Sequence, residues 1–333
     1  MKKLYQCLKS SWALDTRSLA LFRVCFGLIL AFDIAFRSLE LVAHYSDAGL
    51  LPRSLFLSEL ANSWNFSIYL ASGDRLGLCI LFLIHFILTL FFLFGWYTRL
   101  TTVVLWFFYA SLHNRQWLVN SSGDDMIRLL LFISFFLPLA ASYSVDSALS
   151  ENKKNTKNYS SLWSFIFCLQ LAAVYLVSFF SKNHPIWNQE YSAIYYALHL
   201  EMFVTHFGLW LGQFKVFGQW LTYLVYYAEL IGGTLVILSL FLGRYAQPVR
   251  LVASLALIIF HLGLILTMKL GTFPYVMIAA WLVFIPSSFW DFLFKKLELV
   301  KKFQLQIFYD GECSFCKKTV FMLKTFFLLP SVR

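Results

Sequence analysis

Apolar residues run along this chain in long blocks, without the spacing of a half-exposed helix or the alternation of a half-buried strand. Blocks of roughly 18 or more apolar residues recur, the number a helix needs to cross about 30 Å of hydrocarbon at 1.5 Å per residue. They predict membrane-spanning helices over residues 18–40, 76–97, 100–118, 126–142, 161–181, 217–242, 248–270 and 273–293. The expected count is about eight, with seven or nine left open by blurred ends. The second and third blocks meet at Tyr97-Thr98-Arg99, room for a tight hairpin alone. Residues 143–160 form a polar connector, and no internal repeat interrupts the pattern. After Lys302 the character changes: 305–309 alternates like a short strand, Asp310-Gly311-Glu312 turns, and 313–328 suits a helix. The expected architecture is an all-α polytopic membrane protein: an N-terminal stretch 1–17, a membrane domain 18–293, a basic linker 294–304 and a strand-CxxC-helix fragment 305–333.

Composition sharpens this. The chain is 60% hydrophobic and only 13% charged, against about 45–50% and about 25% for soluble domains. Its formal charge of +10 would suit a nucleic-acid binder if the basic residues were gathered, but they are spread through short loops, so nucleic acid is excluded as a partner. The excess reads as topology, because retained cytoplasmic loops carry lysine and arginine. One side collects Lys2, Lys3, Lys9, Arg17, Arg99, Lys153, Lys154, Lys157, Arg244, Arg250, Lys295, Lys296, Lys301 and Lys302. The other carries two longer, nearly neutral loops, about 44–75 and 182–218. This pattern predicts a bacterial-type inner-membrane protein with both termini in the cytoplasm. Residues 1–18 are polar and the next block lacks a small-residue cleavage site, so a first membrane helix is expected and no cleaved signal. Trp64, Tyr69, Trp187, Tyr191, Tyr195, Tyr196 and Trp210 populate the outer loops, either as an aromatic belt at the headgroups or as a ligand lining, on short interfacial or re-entrant helices.

Ionisable groups inside apolar blocks cost at least about 2.5–3.5 kcal/mol each on insertion scales, so each needs a partner or a role. Asp33 and Arg37, four residues apart, read as a structural ion pair, and Arg23 reads as a snorkelling side chain. Asp124 and Asp125 open the fourth block after Ser121-Ser122-Gly123, with Arg128 four residues beyond Asp124; Asp124 is either a helix cap or a pocket group. Glu229 and His261 sit in the middle of apolar sequence and are candidate pocket groups able to hydrogen-bond one another. Lys182 follows an apolar, aromatic stretch, with His184 and Trp187 just beyond. It is either a dehydrated base or a lysine snorkelling to the interface. Of six cysteines, Cys7, Cys25, Cys79 and Cys168 are packing residues, whereas Cys313 and Cys316 form a C-x-x-C.

Several of these segments together resemble one family. Residues 18–27 with Asp33, His44-Tyr45-Ser46-Asp47-Ala48-Gly49-Leu50-Leu51-Pro52, Gly123-Asp124, Phe136-Leu137-Pro138 with Tyr143-Ser144-Val145-Asp146, and Tyr175 through Lys182 to Trp187 resemble the HTTM family, membrane relatives of vitamin K-dependent gamma-carboxylase, over about residues 12–293. The resemblance implies that Lys182 matches the carboxylase lysine that deprotonates vitamin K hydroquinone, so a reduced quinone of vitamin K or menaquinol type is the expected cofactor. Ser122-Gly123-Asp124 stands where the carboxylase has an Asn-His pair, and its large β-rich outer domain has no counterpart. Quinol chemistry without protein carboxylation, or the loss of both, follows. Residues Phe308-Tyr309-Asp310-Gly311-Glu312-Cys313-Ser314-Phe315-Cys316 resemble a second family, the DCC-type thiol-disulfide oxidoreductases of thioredoxin-like fold. That resemblance makes Cys313 the attacking thiolate and Cys316 the resolving thiol. A metal half-site competes, but no second ligand pair follows, and no metal is expected. Residues 305–333 cannot complete a thioredoxin-like sheet, which implies a truncated domain or one finished by another polypeptide.

The preferred reading is a carboxylase-like membrane protein enclosing a lipid-facing pocket for a quinol or similar small apolar substrate, with Lys182 as base and Glu229, His261, Trp187 and Asp124 as pocket groups. The alternatives are a non-catalytic scaffold or carrier coupled to a thiol-redox partner, with Lys182 solvated, and an electron relay between quinones and the dithiol.

Overall fold

The computed structural model describes residues 9–60, 66–150, 157–300, 308–310 and 312–326. Lys2, Lys3, Trp64, Lys153, Lys154, Lys301, Lys302 and most of the expected C-terminal strand lie outside them. The chain divides into two compact units, one of Leu19–Lys157 with the stretch from Ser287 onward, the other of Asn158–Pro286 with the stretch up to Ser18.

The 19–157 unit contains most of α1 (Thr16–Leu39), then α2 (Arg75–Phe94), α3 (Thr98–Arg115) and α4 (Ser122–Ser134). Asp74 caps α2 by accepting from the Gly77 N–H at 3.0 Å, which meets one of the donors a helix start leaves free. At the other end Gly95 turns left-handed at φ 70°, and its N–H and that of Trp96 bond back to Phe92 and Phe91 at 3.1 and 2.9 Å. A side chain at Gly95 would also strike Ser144 Cβ at 2.5 Å. The hairpin therefore centres on residues 95–97, two residues earlier than the sequence suggests, because glycine tolerates that backbone. The Asp146 carboxylate locks the turn by accepting from the N–H groups of Tyr97 and Thr98 at 2.9 and 2.8 Å.

Arg23 does not snorkel. It is fully buried and donates to the carbonyls of Leu93, Leu139, Ser142 and Tyr143 at 3.3, 2.7, 3.4 and 2.5 Å. Its fork of donors suits carbonyls that helix ends and turns leave unpaired. Arg23→Met, which strands these acceptors, is expected to cost about 3 kcal/mol of stability, read as a lower unfolding temperature in detergent.

The other unit holds α5 (Leu162–Ser181), α6 (Lys215–Ser239), α7 (Ala246–Thr267) and α8 (Phe273–Trp281). Short strands Leu14–Asp15 and Asn158–Tyr159 pair antiparallel and lead into the Ser161 capping box of α5. Gly232 and Gly233 let α6 approach both neighbours: a Cβ on either would stand 2.8 Å from Leu257 of α7 or Leu176 of α5. Small residues at such crossings are how membrane helices reach close packing. The 182–218 loop forms the short helices Pro185–Asn188, Ala193–Ala197 and His206–Gly212. Arg250, expected as a loop charge, is instead buried, donating to the Ala13 carbonyl at 3.1 Å and lying over the Phe284 ring.

The eighth expected span breaks. Phe273–Phe284 and Ser287–Lys296 meet at a bend of 85°, with Ile285 extended before Pro286, the residue that disfavours helix in its predecessor and supplies no N–H. Beyond it lie α9 (Ser287–Val300) and α10 (Ser314–Phe326). Among the described residues, α1, α2, α5, α6 and Gly243–Thr267 are long and apolar enough to cross a bilayer, and counting the bent pair makes six. The 126–142 block yields only the 13 residues of α4, about 20 Å at 1.5 Å per residue, because turns around Pro138 consume the rest. Helix α3 has sufficient length but includes Arg99, His113, Asn114 and Arg115. The long helices expose Phe32, Phe36, Leu83, Phe180, Leu224 and Ile259 and bury Asp33, His85, Glu229 and His261. That arrangement places hydrocarbon outside and polar pairs within.

Candidate functional site

Tyr175, Ser178 and Lys182 recur at i, i+3 and i+7, one face of α5 and its C-cap. At the cap, Lys182 Nζ donates to Ser178 Oγ at 2.9 Å and forms a close ion pair with Glu229 Oε2 of α6. Ser178 Oγ in turn donates to Glu229 Oε1 at 3.3 Å. The helix Pro185–Asn188, whose Trp187 N–H bonds to the His184 carbonyl at 2.9 Å, lays the Trp187 ring 4.7 Å from Nζ. The cation–π contact and the carboxylate together keep the ammonium inside, and the lysine side chain is only 14% exposed. Lys182 is thus directed into the helix packing.

Two turns earlier, about 10 Å along the axis, a second network begins. The Tyr175 hydroxyl accepts from Trp281 Nε1 at 2.6 Å and lies 2.7 Å from His261 Nε2. All three residues are buried, and His261 Nδ1 has no partner. Glu229 and His261, expected to bond each other, instead belong to neighbouring networks on the same α5 face. Tyr175, not singled out as a polar partner in the sequence, takes the place of Glu229 at the histidine. One turn before Lys182 and one before Glu229, Phe179 and Tyr226 meet with tilted rings, centroids 4.4 Å apart, and Tyr191 meets Tyr223 edge-on at 5.1 Å. Part of the loop's aromatic content therefore lines this unit, whereas Tyr196 and Trp210 are exposed.

Asp124 lies in the 19–157 unit and serves two purposes. Its Oδ2 accepts from the Ser121 N–H at 2.6 Å, closing a capping box, while Oδ1 takes Arg37 Nη2 at 2.5 Å. Arg37 Nε bonds both Asp33 oxygens at 3.0 Å. Arg128 pairs with Asp125, not Asp124. Sequence reasoning missed His113, whose Nε2 stands 3.2 Å from Asp124 Oδ1, and His85, whose Nδ1 lies 2.8 Å from the Tyr69 hydroxyl. His85 carried the same signal as His261, a histidine inside an apolar block. Tyr69, expected in a headgroup belt or ligand lining, is fully buried with it.

Cys313 directly precedes α10, which packs on the short helix Val145–Leu149. Both thiols are free, and the Cys316 N–H donates to Cys313 Sγ at 3.4 Å. That bond pushes the Cys313 thiol below its ordinary range, while the hydrogen bond with Cys313 pushes Cys316 up. The thiolate is the nucleophile. As pH rises, iodoacetamide is therefore expected to modify Cys313 first and Cys316 at higher pH, read peptide by peptide in a mass spectrometer.

Long apolar helices with charged pairs sequestered among them define an integral membrane protein of the polytopic helical class. The HTTM domain model matches residues 12–290, and the chain belongs to that family, which is vitamin K-dependent gamma-carboxylase-like. The match stops short of Cys313 and Cys316. No curated protein and no solved structure matches the chain.

Proposed function

We propose that the protein oxidises or oxygenates a membrane quinol, with Lys182 as the base that removes the hydroxyl proton. The observation that carries this reading is the inward-turned Lys182, held against Glu229 and covered by Trp187. Proton transfer from Nζ to Glu229 Oε2 along their contact leaves a neutral amine beside an aromatic shell. That amine accepts a quinol hydroxyl proton, and the ammonium so formed lies against the quinolate and stabilises its charge. Dioxygen is the co-reactant: in oxidation it takes two electrons and the two quinol protons and leaves as hydrogen peroxide, and in oxygenation one of its atoms enters the ring as an epoxide while the other leaves as water with those two protons. Trp187, Phe179 and Tyr226 offer flat apolar faces suited to a quinone ring, and membership of the HTTM family supports the same chemistry. The scaffold reading calls for a solvated Lys182, which the pairing with Glu229 disfavours.

The test is oxygen uptake by purified protein in detergent, supplied with reduced vitamin K or menaquinol. Uptake above that of an empty-membrane preparation supports the proposal. Background rates with both quinols would remove it.

A further inference from the structure

In the 19–157 unit two buried carboxylates share one guanidinium. Asp33 is 5% and Asp124 1% exposed. Arg37 gives Nε to Asp33 and Nη2 to Asp124, while Nη1 reaches the Tyr45 hydroxyl at 3.3 Å, a neutral group. One negative charge is left in excess. An unmatched charge away from water is strongly disfavoured, and a group in that position takes up a proton instead.

A second observation offers a place for that proton. His113 is fully buried, and its Nε2 stands 3.2 Å from Asp124 Oδ1, yet neither ring nitrogen makes a hydrogen bond. The remaining titratable neighbours do not supply the missing charge. Tyr109, which meets the His113 ring edge-on, donates its hydroxyl to the Leu30 carbonyl at 2.9 Å. His85 faces Tyr109 and is engaged by Tyr69. Arg115 on α3 turns Nη2 to the Tyr45 carbonyl at 2.9 Å and lies over the Phe56 ring, with no ion pair to Asp33 or Asp124.

We propose that Asp33, Arg37, His113 and Asp124 form a binding site for one proton, held between Asp124 and His113 and making the cluster neutral at physiological pH. Arg37, with 14% of its side chain exposed, is more exposed than Asp33, Asp124 or His113. The site is separate from the Lys182 chemistry and does not rest on it.

The test uses full-length protein labelled with 15N-histidine in detergent at about pH 8, where an unperturbed imidazole is neutral. The His113 signals are assigned by their loss in His113→Gln. Two results support the site: a doubly protonated His113 ring, or a neutral ring together with an infrared carboxylic-acid band that Asp124→Asn removes. Asp33→Asn leaves one carboxylate for one guanidinium and is expected to abolish either signature. A neutral His113 with no carboxylic-acid band overturns the proposal. So does a band that Asp33→Asn removes while Asp124→Asn leaves it, or a signature that survives Asp33→Asn.

Discussion

Glu229→Ala is expected to cost about 3–5 kcal/mol of stability, the range for removing one partner of a buried ion pair. The side chains of Lys182 and Glu229 are 14% and 7% exposed. Without the carboxylate, Lys182 Nζ keeps only Ser178 Oγ and the Trp187 face, too little for an ammonium held away from water. The double variant Lys182→Met/Glu229→Leu is expected to recover most of the loss, because apolar residues of similar volume often replace a buried pair at no cost. Thermal unfolding in one detergent, run on native, single and double variants, measures this directly. If Glu229→Ala unfolds at the native temperature, the pair is not the buried contact described above.

This stability series also separates structure from chemistry. The double variant keeps the fold by the argument above but has neither the amine nor the carboxylate. It is therefore expected to be stable and inactive, a combination that a purely structural pair would not produce.

Much of the helix layout was legible in the sequence, for a simple reason. A bilayer demands long uninterrupted apolar blocks, and α1, α2, α5 and α6 follow those blocks to within a few residues. The block 273–293 misled because hydropathy does not register the bend that Ile285 and Pro286 impose. The block 126–142 misled because its second half is apolar but turns. Lys182 and Trp187 were legible as neighbours, since a short turn leaves five residues little freedom. Glu229 was legible as a charge needing a partner, but the partner was not, because the α5 face it meets is set by tertiary packing. The same limit hid His113, which meets Asp124 only once α3 and α4 pack together. Snorkelling was the wrong reading of Arg23 because the carbonyls it satisfies come from turns about 70 to 120 residues away in sequence.

The central claim is that Lys182 is a base, and its most direct test is the rate of oxygen-dependent oxidation of menaquinol by native protein and by Lys182→Ala, side by side. General-base catalysis contributes about 10²–10⁴-fold, so Lys182→Ala is expected to lose turnover by at least about 100-fold. Turnover by the native protein that falls to background in Lys182→Ala is the predicted result. Turnover that persists at the native rate in Lys182→Ala would contradict the account.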